Sequence, residues 1–184
     1  MVGDGAAVLV RRALAAAGLP PDAPGALAHF LQLYDERLTA TTLPYPGIVE
    51  TLAALERTMA LAVLTNKPGR ATARLLDALS LHRHFTAVIG GDSPFGRKPD
   101  PAGLLHLVGV AGVTAAETVL VGDSHVDLET ARRARTHVCM AAYGFGYPSA
   151  RDRLRGDELI AASAGDLRRL LAAGLQEHGR KGEQ

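Results

Sequence analysis

Tryptophan is absent from this 184-residue chain, and cysteine occurs once, at Cys139. A lone cysteine closes no internal disulfide, so a reducing, cytoplasmic setting is expected. Net charge is almost absent too: 20 basic side chains stand against 19 acidic ones. That balance gives no electrostatic reason to expect nucleic acid as a partner. No apolar run reaches about 18 residues, so no membrane-spanning helix and no membrane partner are expected. The opening Met-Val-Gly-Asp-Gly stretch lacks a basic region followed by an apolar one and does not read as a secretory signal. Lysine is also scarce, with 3 against 17 arginines. That bias reads as genomic composition, but it gives each lysine weight. What remains is 47% hydrophobic, ample at this length for one cored domain with or without a small appendage.

Four segments read as buried strands: Leu61-Ala62-Val63-Leu64, Thr86-Ala87-Val88-Ile89, Thr118-Val119-Leu120-Val121 and His137-Val138-Cys139-Met140. Each is a brief apolar run ending in small or polar residues, which suits a strand covered on both faces. Helical spacings lie between them. Pro46 takes the place of a first helical residue, with Ile48, Leu52 and Leu55 following. Thr72, Leu75, Leu76 and Leu79 repeat the pattern, Leu104, Leu105 and Val108 do so more weakly, and 127–134 continues one after the third strand. The alternation predicts an α/β fold with a parallel sheet and right-handed crossovers.

Residues 1–43 differ. Segments 8–17 and 25–38 read as helices with no strand between them, broken by Gly18-Leu19-Pro20-Pro21. Leu43-Pro44-Tyr45-Pro46-Gly47 reads as a hinge into an α/β unit spanning 44–176. Near its end, Leu159-Ile160 suggests a short edge strand, and a helix opens near Asp166 with Leu167, Leu170 and Leu171. Residues 177–184 read as a polar, loose tail.

Ligands of parallel α/β sheets bind where strands give way to loops and helix N-termini. The first strand ends in Thr65-Asn66-Lys67-Pro68, whose hydroxyl, amide and backbone N–H groups suit an anion, or equally plain helix capping. The third ends in Gly122-Asp123-Ser124-His125-Val126-Asp127, so Asp123 and Asp127 can face one small volume. At an effective dielectric of about 20, two like charges about 4 Å apart repel by roughly 4 kcal/mol. A cation, a lysine or a shared proton must offset this, and Mg²⁺, which takes oxygen ligands, answers well. The plainer alternative makes Asp123 an N-cap and Asp127 a solvated first-turn acid. Lys98, in Gly96-Arg97-Lys98-Pro99-Asp100-Pro101, is either an exposed loop residue or an ammonium bridging a phosphate and the acid pair.

Thr-Asn after one strand, Lys-Pro after the next loop and Gly-Asp-Ser-x-x-Asp after a later strand together resemble the haloacid dehalogenase-like hydrolase superfamily. They correspond in order to its second, third and fourth motifs. Leu64-Thr65-Asn66-Lys67-Pro68, Gly90-Gly91-Asp92-Ser93, Arg97-Lys98-Pro99-Asp100-Pro101, Val121-Gly122-Asp123-Ser124 and the Tyr143-Gly144-Phe145-Gly146-Tyr147 region resemble its phosphoglycolate phosphatase branch. Val2-Gly3-Asp4-Gly5-Ala6 with its helix is similar to the middle of that branch's helical cap. The resemblance implies a Rossmann-like parallel sheet and a Mg²⁺-dependent hydrolase that converts 2-phosphoglycolate to glycolate and phosphate. It implies Thr65, Asn66 and Lys98 on the phosphate, Lys98 as a catalytic residue, Asp123 on the metal, and Ser124 and Asp127 in support. Pyrophosphate or a sugar phosphate are alternative substrates, and the Gly-Asp-Ser-x-x-Asp arrangement argues against a dehalogenase.

One part of the family pattern is missing. Its nucleophile is the first aspartate of an Asp-x-Asp motif at the end of a central strand, forming an aspartyl-phosphate that water hydrolyses, with the second aspartate as acid and base. The 184 residues contain no Asp-x-Asp. Asp4-Gly5 has only Met1-Val2-Gly3 before it, too little for a strand, and reads as a turn or cap acid. The expectation is therefore an N-terminally truncated, inactive chain with an incomplete helical cap and no central first strand. Alternatively, it is a non-catalytic phosphate- or partner-binding relic. Self-association through the gap is expected. Two further readings concern single residues: Arg135, where the family has Gly after the helix, predicts a distorted helix end, and His125 occupies a variable position between the two motif acids.

Overall fold

The computed structural model of the chain describes residues 5–181, with side chains through residue 173. Asp4 and the segment 182–184 lie outside the described residues. Two helices come first, α1 (Ala6–Ala16) and α2 (Ala26–Arg37). They are broken apart at Gly18-Leu19-Pro20-Pro21, where the prolines remove backbone donors. This pair is thinly packed: α1 buries only Val10, and α2 buries no residue.

The rest alternates as the sequence predicts. Helix α3 (Ile48–Leu55) leads into β1 (Ala62–Leu64), α4 (Gly69–Ala78) and β2 (Ala87–Ile89). Then follow α5 (Ala102–Ala111), β3 (Val119–Gly122), α6 (His125–Ala134) and β4 (His137–Ala141). A short α7 (Pro148–Arg151), β5 (Leu159–Ala161) and α8 (Ala164–Lys181) complete it. Pro46 is not the first helical residue. Gly47 caps α3 at φ 81°, a left-handed conformation that proline's ring forbids, so the helix starts one residue beyond it. Helix α8 continues to Lys181, through much of the stretch that reads as a loose tail.

Every strand pairing is parallel, as the alternation of strands with helices predicts, but the cover is less complete than the apolar runs suggest: β1 holds no fully buried residue. The strands form two sheets, β1–β2 and β3–β4–β5. Val63 stands beside Val88 in the first, and Val121 beside Cys139, itself beside Leu159, in the second. Among the described residues β1 and β3 each have one edge without a strand partner, and Val121 on β3 is 39% exposed.

Two apolar clusters hold the layers together. Leu104, Leu120, Leu128, Val138 and Met140 pack on one face of the larger sheet, with Leu64 of β1 against them. Leu55, Cys139, Ala161, Leu167 and Leu171 pack on the other, joining α3 and α8. The buried Thr51 hydroxyl ties the same two helices by donating to the Ala164 carbonyl at 3.0 Å. Among the described residues no helix is long and apolar enough to cross a membrane.

The end of α6 corrects one expectation. Arg135 takes φ 58°, ψ 35°, and the helix closes regularly, with the Thr136 N–H donating to the Ala131 carbonyl at 3.1 Å. The helix end is not distorted; instead a side chain occupies a left-handed position at a local cost of about 1 kcal/mol. Arg135→Gly is therefore expected to stabilise the fold by about 0.5–1 kcal/mol, read as a higher urea midpoint at unchanged slope.

Candidate active site

The carboxyl end of β3 sets the site. Gly122 ends the strand because only a hydrogen fits there: a Cβ would stand 2.3 Å from the Cβ of Asp127. Ser124 then caps α6, its hydroxyl accepting from the Asp127 N–H at 3.4 Å. Asp127 answers in a reciprocal capping box, Oδ2 accepting from the Ser124 N–H at 3.0 Å and its hydroxyl at 2.6 Å. The Asp123 N–H adds a third donor at 3.3 Å. So the N-cap is Ser124, not Asp123, and Asp127 is not a solvated acid: it is only 5% exposed.

A carboxylate buried this far requires a counter-charge, which Lys98 supplies. Its Nζ donates to Asp127 Oδ1 at 2.5 Å, with both side chains largely covered. Burial pushes the Asp127 carboxyl up, but the Lys98 charge and the Lys98 and Ser124 hydrogen bonds outweigh it and hold the group below the usual carboxylate range. The stability this contributes is fully present above the unfolded-state value of about 4 and is lost as pH falls through the lower folded-state value. In Asp127→Asn the loss of stability on acidification below about pH 4 is expected to be shallower, measured by denaturant titration at successive pH values.

Lys98 also reaches β1. Its backbone carbonyl accepts from Asn66 Nδ2 at 3.0 Å, so Asn66 braces the loop carrying the ammonium. Thr65 is held more locally: its N–H donates to the Ile89 carbonyl at 3.0 Å, and its hydroxyl accepts from the Lys67 N–H at 3.1 Å. Asn66, Lys98, Asp127, Ser124 and Asp123 thus form one hydrogen-bonded chain from β1 to β3, with Thr65 beside it in sequence.

Three contributors were not evident as such in the sequence. Asp92 Oδ1 accepts from the Gly69 N–H at 2.8 Å, so a carboxylate from the loop after β2 already occupies the first turn of α4. Gly91 makes that approach possible, since a Cβ there would lie 2.4 Å from the Asn66 carbonyl oxygen. Asp123 is cradled by the loop after β4, its Oδ2 accepting from the Gly146 N–H at 2.7 Å. The signal for the last two was the pair of glycine-containing motifs, but nothing in them names the partner. His125 is tied to Ser149, its backbone N–H donating to the Ser149 hydroxyl at 3.2 Å.

Magnesium takes hard oxygen ligands and commonly one or two carboxylates besides water and phosphate. Asp123 fits in kind. Asp127 is committed to Lys98, and among the described residues no three His, Cys, Asp or Glu side chains gather, so the described site offers one carboxylate, with water and phosphate oxygens left to complete the shell. Thiol chemistry is unsupported as well. Cys139 is fully buried, and burial together with the Asp166 charge pushes its thiol up to about 11.

Residues 10–141 match the family described as haloacid dehalogenase-like hydrolase. The chain is 40% identical over 176 residues to a phosphoglycolate phosphatase of Pseudomonas syringae pv. tomato, covering 92% of this chain and 63% of that protein. It is 40% identical over 152 residues to phosphoglycolate phosphatase 1 of Pseudomonas aeruginosa, covering 79% and 56%. It thus spans less than two thirds of either relative. A crystal structure titled as a predicted phosphoglycolate phosphatase from Haemophilus somnus superposes with a TM-score of 0.82 at 30% identity, over 92% of this chain and 78% of that one.

Proposed function

Since the chain belongs to the haloacid dehalogenase-like hydrolase family, we propose that it is part of a phosphomonoester hydrolase of the phosphoglycolate phosphatase type. The carrying observation is the buried Lys98–Asp127 pair at the strand edge, braced by Asn66 and Ser124. Phosphoryl transfer depends chiefly on placement and charge neutralisation, and a lysine fixed by a buried carboxylate is placed before the phosphate arrives. Thr65 and Asn66 bind the phosphate oxygens, Lys98 spans phosphate and carboxylates, and Asp127 and Ser124 hold Lys98 in position. Asp123, fixed by Gly146, is the carboxylate for Mg²⁺. Bound there, the ion would neutralise phosphate charge. The lone buried cysteine suits a cytoplasmic setting.

The nucleophile is not among these residues, because the sequence holds no Asp-x-Asp. The free edges of β1 and β3 offer ladder positions to a further strand, and the chain without one is inactive and open to self-association there. Two measurements test the reading on the 184-residue chain. Calorimetric titration with inorganic phosphate is expected to show binding that Lys98→Ala weakens at least about tenfold, the loss of a charged hydrogen bond. An assay with 2-phosphoglycolate and Mg²⁺ is expected to give no turnover; turnover would overturn the account of the nucleophile, and absence of phosphate binding the account of the site. A chain supplied with an Asp-x-Asp strand separates the phosphatase from a non-catalytic relic: only the former gains activity, and a panel including pyrophosphate and sugar phosphates then ranks substrates.

A further inference from the structure

We propose that Lys67 is a specificity residue that receives a carboxylate carried by the phosphorylated substrate. This rests on the phosphate reading of the neighbouring residues and adds the group that distinguishes one phosphomonoester from another. Lys67 follows Thr65 and Asn66 directly, so whatever holds a phosphate at the end of β1 holds it beside this side chain. Its ammonium lies 4.6 Å from the centre of the Tyr34 ring on α2, which places it between the sheet edge and the helical pair.

Among the described residues, the carboxylates of the adjoining segments have other partners. Asp35, next to Tyr34, is paired with Arg74 of α4, and Asp92 caps Gly69. Lys98 is paired with Asp127. Among the described residues no carboxylate lies within ion-pair distance of Lys67, and an aromatic face is its one described charge-stabilising contact. The side chain is half-buried, and that burial pulls its pKa below the ordinary lysine value. A desolvated cation facing a ring gains from an anion that displaces water from it. The ammonium is a compact point charge on a flexible stem, suited to a carboxylate one or two bonds from a phosphate already held by Thr65, Asn66 and Lys98. A plain alkyl phosphate presents nothing to it. The contact with Tyr34 also places the ligand under α2, so the helical pair takes part in selection through the ring that positions the ammonium.

The test compares three ligands on the full chain by titration calorimetry: inorganic phosphate, ethyl phosphate and 2-phosphoglycolate. Wild type is expected to bind 2-phosphoglycolate about tenfold more tightly than ethyl phosphate, the scale of one charge-assisted contact. In Lys67→Met that ratio is expected to fall to near one, and in Lys67→Arg, which keeps the charge, to recover in part. Thermal melts of each variant verify folding, and Tyr34→Leu, which removes the ring and leaves the lysine, is expected to reduce the ratio without abolishing it. A wild-type ratio near one, or a ratio preserved in Lys67→Met, would overturn the assignment of Lys67 while leaving the phosphate site intact. Failure of wild type to bind any of the three ligands would overturn the phosphate reading and this inference with it.

Discussion

Asp127→Ala is expected to lower the unfolding free energy by about 3–5 kcal/mol, the cost of breaking a buried charge pair by removing one partner. The carboxylate accepts from the Lys98 ammonium, the Ser124 hydroxyl and two backbone N–H groups. Alanine removes every one of these acceptor contacts at once. The Lys98 side chain, 14% exposed, then loses its counter-charge, and the first turn of α6 loses its capping box. Asp127→Asn keeps the shape and one acceptor oxygen, so its cost is expected to be smaller. Urea unfolding of both variants beside wild type is the measurement. A loss under about 1 kcal/mol for alanine would show that the ammonium relaxes to water and that the pair contributes little, as surface pairs do.

Gly122→Ala is expected to cost about 3 kcal/mol and to disturb the same pair from the other side. Overpacking alone costs about 1–3 kcal/mol. Here the added Cβ would meet Asp127 Cβ at 2.3 Å and Cγ at 2.4 Å, so the carboxylate must move away from the ammonium as well. The neighbour is the stiff root of a side chain on a helix packed against Leu120 and Met140, with little room to yield. Two readouts separate the effects: the urea midpoint reports overpacking, and calorimetric phosphate binding reports whether Lys98 stays in place. Unchanged phosphate affinity with a large loss of stability would show that the pair re-forms around the new methyl group.

Much of the fold is legible in the residues, for a physical reason. Val63, Val88, Leu120 and Val138 sit in short apolar runs of the kind that form strands, and each lies in one, although only β4 is buried along most of its length. The site is legible in part, because its residues follow strand ends, where a parallel sheet gathers its loops. The sequence offers two fates for Asp123 and Asp127, and only burial chooses between them: Asp127 is covered and paired, whereas a first-turn acid on a surface helix would be solvated. Pro46 and Arg135 read differently in one dimension because left-handed backbone positions depend on how the chain must turn, and that is decided by the packing on either side.

By itself the sequence determined the α/β alternation, the strand-edge placement of Thr65, Asn66, Lys98 and Asp123, and the absence of an Asp-x-Asp, because periodicity, turn chemistry and residue identity are local properties. The tertiary structure alone decided that Lys98 answers Asp127, that Asp92 caps α4, that Gly146 holds Asp123 and that Lys67 lies over Tyr34. Each of these joins residues more than 20 positions apart, the Asp92–Gly69 and Gly146–Asp123 links spanning 23 and the Lys98–Asp127 link 29. All therefore depend on how the loops converge once the core has closed, and no local pattern encodes that distance.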